Sequence, residues 1–121
     1  MENIFKTLSA NPNLVLATVD SQGKPHTRII QYLFEIEGKI YFCTNNTKKM
    51  SVQMKENNHI SIISYAPDFS AIARINGDVT FLDDMNLKAR ALDENPGIKS
   101  IYKDATNPTF EICSISNLVI E

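Results

Sequence analysis

The sequence predicts a mainly β domain with a few helices (α+β), its strands antiparallel in a barrel or a sandwich. Three observations carry that expectation. Short segments rich in β-branched and aromatic residues recur along the chain. Tight turns join most of them, and few helices of strand-linking length separate them, as a parallel sheet would require. With 121 residues, 43% hydrophobic and 21% charged, the chain fits one domain spanning residues 1–121. No repeat, low-complexity tract or linker divides it.

Taken in order, residues 3–10 predict a short amphipathic helix, because Ile4, Phe5 and Leu8 share one side. Asn11-Pro12-Asn13 ends it, since proline disfavours helical backbone in the residue before it. Residues 14–20 predict a strand, and Gly23 supplies the turn that follows. Residues 27–36 carry the clearest period of two. Arg28, Ile30, Tyr32, Phe34 and Ile36 fall on one face, opposite Thr27, Ile29, Gln31, Leu33 and Glu35. Glu37-Gly38 then turns the chain into a hairpin strand over residues 39–44.

From 47 to 57 the period becomes helical, with Met50 and Met54 on one side and Thr47 as the expected N-cap. Residues 59–65 predict the next strand, and residues 71–81 a long alternating one in which Gly77 marks a bulge or bend. Asp83 and Asp84 open a helix with Met85, Ala89 and Leu92 on its apolar face. It stops at Asn95-Pro96-Gly97, a short helical turn reaches Tyr102, and residues 109–119 predict the last strands.

Charge and composition exclude several functions. Twelve basic against 14 acidic residues give a net charge of −2, which argues against nucleic acid as a partner. No apolar run approaches the roughly 20 residues of a membrane span. The N-terminal residues lack the pattern of a secretory signal, so a cytoplasmic location is expected. Cys43 and Cys113 form no paired motif and read as free thiols in a reducing compartment. His26 and His59 are not spaced as metal ligands.

The stretch that points to chemistry is Thr44-Asn45-Asn46-Thr47-Lys48-Lys49, a polar turn between a strand and a helix. Amides at a helix start are unpaired and make a ready anion site. Lys48 and Lys49 oppose the helix dipole there, a cost of roughly 0.3–1 kcal/mol each that a bound phosphate would reverse. The plainer reading is a solvated basic turn. Arg28 shares a core-directed face with Ile30 and Tyr32, where an arginine needs a partner. Either an anionic ligand or a salt bridge at the strand end would serve.

In order and spacing, these segments resemble the pyridoxamine 5′-phosphate oxidase-like FMN-binding split barrels. The first is Leu16-Ala17-Thr18-Val19-Asp20 followed by Gly23-Lys24-Pro25-His26-Thr27-Arg28. Gly38 to Asn45 with Thr47-Lys48-Lys49 is similar to that family's phosphate-binding stretch. Arg74-Ile75-Asn76-Gly77-Asp78-Val79, Asp83-Asp84, and Asn95-Pro96-Gly97 through Ser100-Ile101-Tyr102 resemble its small nitroimidazole-reductase-like branch. The resemblance implies a six-stranded antiparallel Greek-key split β-barrel that forms a homodimer, with FMN at the subunit interface. By family position, Arg28, Thr47, Lys48 and Lys49 would take the FMN phosphate. The backbone of Ile29, Ile30 and Gln31 would meet the flavin ring, Cys43 and Thr44 would line the ribityl side, and Arg74 is a further candidate.

Two departures narrow the expectation. No second basic residue follows Arg28 within Gln31-Tyr32-Leu33-Phe34, where many family members have one. The sequence ends at Glu121, without the extension by which the true oxidases grip substrate phosphate, so oxidation of pyridoxamine phosphate is not expected. No residue stands out as a general base or nucleophile, and Tyr32, Tyr65 and Tyr102 read as packing residues. The expected function is an FMN-dependent oxidoreductase whose flavin takes electrons from NAD(P)H and passes them to a small-molecule acceptor. The alternatives are a non-catalytic flavin or haem-binding module, and an interaction domain that holds no cofactor.

Overall fold

The computed structural model describes residues 2–121, with side chains from Ile4 onward. Met1, where the segment read for a secretory signal begins, lies outside them. In chain order the elements are α1 (Glu2–Ala10), β1 (Asn13–Val19), β2 (Pro25–Gln31), β3 (Phe34–Ile36), β4 (Lys39–Asn45) and α2 (Lys49–Glu56). There follow β5 (His59–Tyr65), β6 (Ile72–Leu82), α3 (Met85–Glu94), α4 (Pro96–Tyr102) and β7 (Phe110–Ile120). All pairings are antiparallel, in the order β2-β1-β5-β6-β7-β4-β3.

The expected six-stranded barrel is corrected to seven strands whose hydrogen-bonded ladder does not close. The extra strand comes from a break in the segment expected to run unbroken from 27 to 36. The Tyr32 amide donates to Pro12 O at 2.7 Å on the β1 side, whereas the Leu33 amide donates to Tyr41 O at 3.0 Å on the β4 side. One stretch of chain thus leaves one edge of the sheet and joins the other, with only Tyr32 and Leu33 between β2 and β3. The sheet is curled so that its two edges are neighbours along the chain.

Two apolar cores flank this sheet. Ile4 and Leu8 of α1, Met50 and Met54 of α2, and the inward residues of β1, β5 and β6 build the first. Phe34, Tyr41, Ala91, Leu92, Tyr102, Phe110 and Ile112 build the second, beneath α3 and α4. Strand β4 serves both, with Ile40 and Phe42 in the first core and Tyr41 in the second. That is why its sequence is a continuous apolar run and not an alternating one.

Local chemistry sets the connections. Glu37 and Gly38 both have positive φ, 52° and 78°, the backbone of a tight hairpin between β3 and β4. Gly77 has the bulge expected of it, with the register shifting between Asn76 and Asp78. A Cβ there would stand 2.5 Å from Ile115 Cγ2 and 2.9 Å from Ser116 O. Asp84 caps α3 by accepting from the Leu87 amide at 3.1 Å. The buried face of α3 differs from the expected one: Ala91 and Leu92 are buried with Leu87 against them, while Met85 is exposed. Residues 109–119 supply a single strand, β7.

Candidate functional site

Strand β2 directs Arg28 inward in the same alternation that buries Ile30. Its guanidinium finds only neutral partners. Nη2 donates to Gln53 Oε1 of α2 at 2.7 Å and to Thr18 Oγ1 of β1 at 3.0 Å. The Thr18 hydroxyl in turn donates to Gln53 Oε1 at 2.9 Å. Arg28 Nε is buried without a hydrogen-bond partner, and so is Thr44 Oγ1. Burial pushes the guanidinium down from its ordinary value. An arginine remains charged at neutral pH even so. The salt bridge that would have explained Arg28 on structural grounds is absent among the described residues.

The start of α2 meets this arginine. Arg28, Ile29, Lys48, Lys49 and Met50 line a cavity of about 240 Å³. The approach to α2 is pinned from below. Asn45 Nδ2 donates to the Tyr102 hydroxyl at 3.1 Å, the Asn46 amide to Thr109 O at 2.9 Å, and the Asn46 side chain to Pro108 O at 3.0 Å. Glu111 of β7 holds α2 through Ser51 and through Lys55, 2.7 Å away, so its carboxylate is spent elsewhere. The first turn of α2 carries no acidic residue, and Lys48 as N-cap makes no side-chain cap bond. Lys48 and Lys49 are exposed and have no carboxylate partner among the described residues.

Thr47 was expected to cap this helix and does not. Its amide and hydroxyl both donate to Asn45 Oδ1, an Asx-type turn that places Thr47 one residue before the cap. The remaining expected residues scatter. Ile29 is exposed at 63% and lines the cavity, Ile30 is core, and Gln31 is exposed and donates to Asn95 Oδ1 at 3.2 Å. Thr44 is buried. Cys43 packs against the second core, and burial pushes its thiol up to about 11. Both cysteines are free. Such a thiol stays protonated at neutral pH and is no nucleophile.

Arg74 stands on the outer face of β6, ion-paired with Glu121 at 3.1 Å. Through the register Arg74, Ile63, Val15 and Ile29 it shares a row with Ile29, three strands away. That is roughly 14 Å at the usual strand spacing, so within one chain Arg74 does not join the cavity. Of the tyrosines, Tyr102 is buried and packs tilted against the Phe110 ring, 4.6 Å between ring centroids, and Tyr32 packs against the first core. Tyr65 is exposed and stacks on Phe69.

Thr18 and Gln53 escaped the sequence reading. Gln53 carries the one available signal: it follows Met50 by three residues and precedes Met54, so it lies on the buried face of α2, where an amide needs a partner.

Comparison with known proteins places the sequence and the fold in a family. The family model for pyridoxamine 5′-phosphate oxidase matches residues 1–112. The chain belongs to the pyridoxamine 5′-phosphate oxidase family. Among solved structures, this family member is similar to a NimC/NimA family protein from Clostridium acetobutylicum, with 28% identity and a TM-score of 0.86. That match covers 98% of this chain and 83% of the other. A pyridoxamine 5′-phosphate oxidase-related, FMN-binding protein from Nostoc punctiforme shares the fold at 19% identity and TM-score 0.70, over 95% and 78% of the two chains. The haem-storage protein HutZ from Vibrio cholerae shares it at 13% and 0.75, over 98% and 92%. No curated protein matches the chain.

Proposed function

We propose that this protein is an FMN-dependent oxidoreductase that works as a homodimer. The carrying observation is Arg28: a half-buried guanidinium with an orphaned Nε and no carboxylate partner among the described residues, converging with Lys48 and Lys49 on one cavity. Three cations without an anion fit a phosphate monoester well, and the start of α2 adds its amides. Arg28, Lys48 and Lys49 would hold the FMN phosphate, beside Ile29, with the backbone through Gln31 and the Cys43–Thr44 stretch toward the rest of the cofactor. Bound FMN supplies hydride chemistry between NAD(P)H and a small-molecule acceptor. The chain's part is to bind, orient and exclude water; burial keeps the Cys43 thiol protonated, so it does not serve as a nucleophile.

Two features support the dimer. The cavity of about 240 Å³ falls below the roughly 300–1,000 Å³ of sites that enclose a cofactor-sized ligand. The outer face of β2, β1, β5, β6 and β7 presents Ile29, Ile72 and Val119, all more than half exposed. A second copy covering that face would both bury it and complete the wall around the flavin.

Denaturing the purified protein and identifying the released small molecule tests the reading. FMN is expected, with a flavin spectrum that bleaches under NADH or NADPH and returns with an added acceptor. A flavin that neither nucleotide reduces would make the protein a passive flavin carrier. The fold shared with HutZ favours one second reading, haem binding. Released haem with a Soret band would establish it and overturn the first.

A further inference from the structure

We infer that Gln53 is a positioning residue for the anion site: with Thr18 it forms an uncharged clamp that orients the Arg28 guanidinium without neutralising it. The inference rests on the phosphate reading above and extends it to residues that line no part of the cavity. Arg28 can only donate, so the Gln53 amide must turn its oxygen toward it. That oxygen accepts twice, from Arg28 Nη2 at 2.7 Å and from the Thr18 hydroxyl at 2.9 Å. Thr18 is equally committed, donating to Gln53 and accepting from Arg28 at 3.0 Å. Both clamp residues are buried, Thr18 fully and Gln53 at 8% exposure, so water does not substitute for either.

Chemistry explains why the clamp is neutral. A glutamate at position 53 would have nearly the same shape and would place a carboxylate against Nη2. The resulting ion pair would satisfy the arginine within the protein and leave little of its charge for a ligand. With glutamine, Nη2 is fixed while the net positive charge and the Nε donor remain. Helix α2 couples the parts, since Lys48 and Lys49 stand at its start and Gln53 one turn further along. The distance between lysines and arginine is thereby set by a rigid element.

The test compares FMN with riboflavin, which has the same ring and lacks the phosphate. Gln53→Glu should weaken FMN binding about tenfold, as expected for loss of one charge-assisted contact, while riboflavin affinity changes less than about twofold. Its ligand-free melting temperature should hold or rise. Gln53→Met keeps the volume and removes the acceptor, and it should lower FMN affinity with riboflavin again unchanged. A glutamine that merely supported the fold would move both ligands together. Equal FMN affinity in wild type and both variants overturns the inference, as does a parallel loss of riboflavin binding. Inorganic phosphate separates this from the cofactor assignment. If wild type binds no FMN yet gains thermal stability from phosphate, and Gln53→Glu gains none, the clamp stands and the FMN reading falls. A wild type that responds to neither FMN nor phosphate overturns both.

Discussion

A half-buried charged guanidinium, with its Nε buried and unpaired and only a hydroxyl and an amide for company, is costly to maintain. The expense makes sense if an anion completes it. Arg28→Ala should therefore abolish most of the FMN-induced rise in melting temperature, because ligand stabilisation scales with ligand concentration over Kd. The ligand-free protein should melt within about 5 °C of wild type, since the Thr18–Gln53 bond survives the change. Arg28→Lys should rescue only partly, a point charge replacing a forked donor. An equal FMN-induced rise in wild type and Arg28→Ala would remove Arg28 from the site. Lys48→Glu and Lys49→Glu should each lower FMN affinity roughly tenfold in a fluorescence titration. Each also supplies the acidic residue that the first turn of α2 lacks, so the folded protein should not suffer. These three cations were legible in the sequence because misplaced charge leaves a mark: two lysines where a helix prefers acids, and an arginine on an apolar face. Thr18 and Gln53 were not, since neutral hydrogen-bonding partners have no spacing rule linking β1 to α2.

Turns and helix ends decide how well β2 and α2 present those residues. Asp20 closes the β1–β2 turn, accepting from the Gln22 and Lys24 amides at 2.9 Å and bonding His26 at 2.9 Å. The His26 bond first, then the Lys24 amide, holds its carboxyl below the usual range. A depressed carboxyl contributes stability above its unfolded value, near pH 4, and loses it as pH falls through the lower folded value. Melting temperature should thus fall as pH drops below about 4, and less steeply in Asp20→Asn, a comparison calorimetry can make. Gly77→Ala should destabilise the β6–β7 bulge by about 1–3 kcal/mol in a denaturant titration, because Ile115 and Ser116 leave no room for a methyl. Most elements were legible from periodicity and turn residues. Two details were not. The alternation over 27–36 continues unbroken through Tyr32 and Leu33 because both flanking strands bury the same parity, each against a different core. Thr47 had the chemistry of a cap, but Asn45 two residues earlier captured it.

At the scale of the whole molecule, light scattering at micromolar concentration should report twice the 13.6 kDa chain mass. Val119→Glu, placed on the exposed face and away from the anion cavity, should shift that value toward the monomer and weaken FMN binding with it. A flavin-loaded monomer would contradict the assembly. Fold class was readable from the spacing of strands and turns; the seventh strand was not, because strand count depends on where one segment changes partners. The sheet order has a further consequence for biosynthesis. Strand β7 is the only link in the ladder between β6 and β4 among the described residues, and it spans Phe110–Ile120. A nascent chain leaving the ribosome can assemble β2, β1, β5 and β6, and separately the β3–β4 hairpin, but the ladder cannot join them until Phe110–Ile120 emerges. Pairings as distant as Phe42 with Cys113 make that closing step slow. Until it happens, β4 carries apolar side chains on both faces and an unpaired edge, the signature of a segment that aggregates. Translation that terminates before residue 110 should therefore yield insoluble product and not a slightly shortened domain.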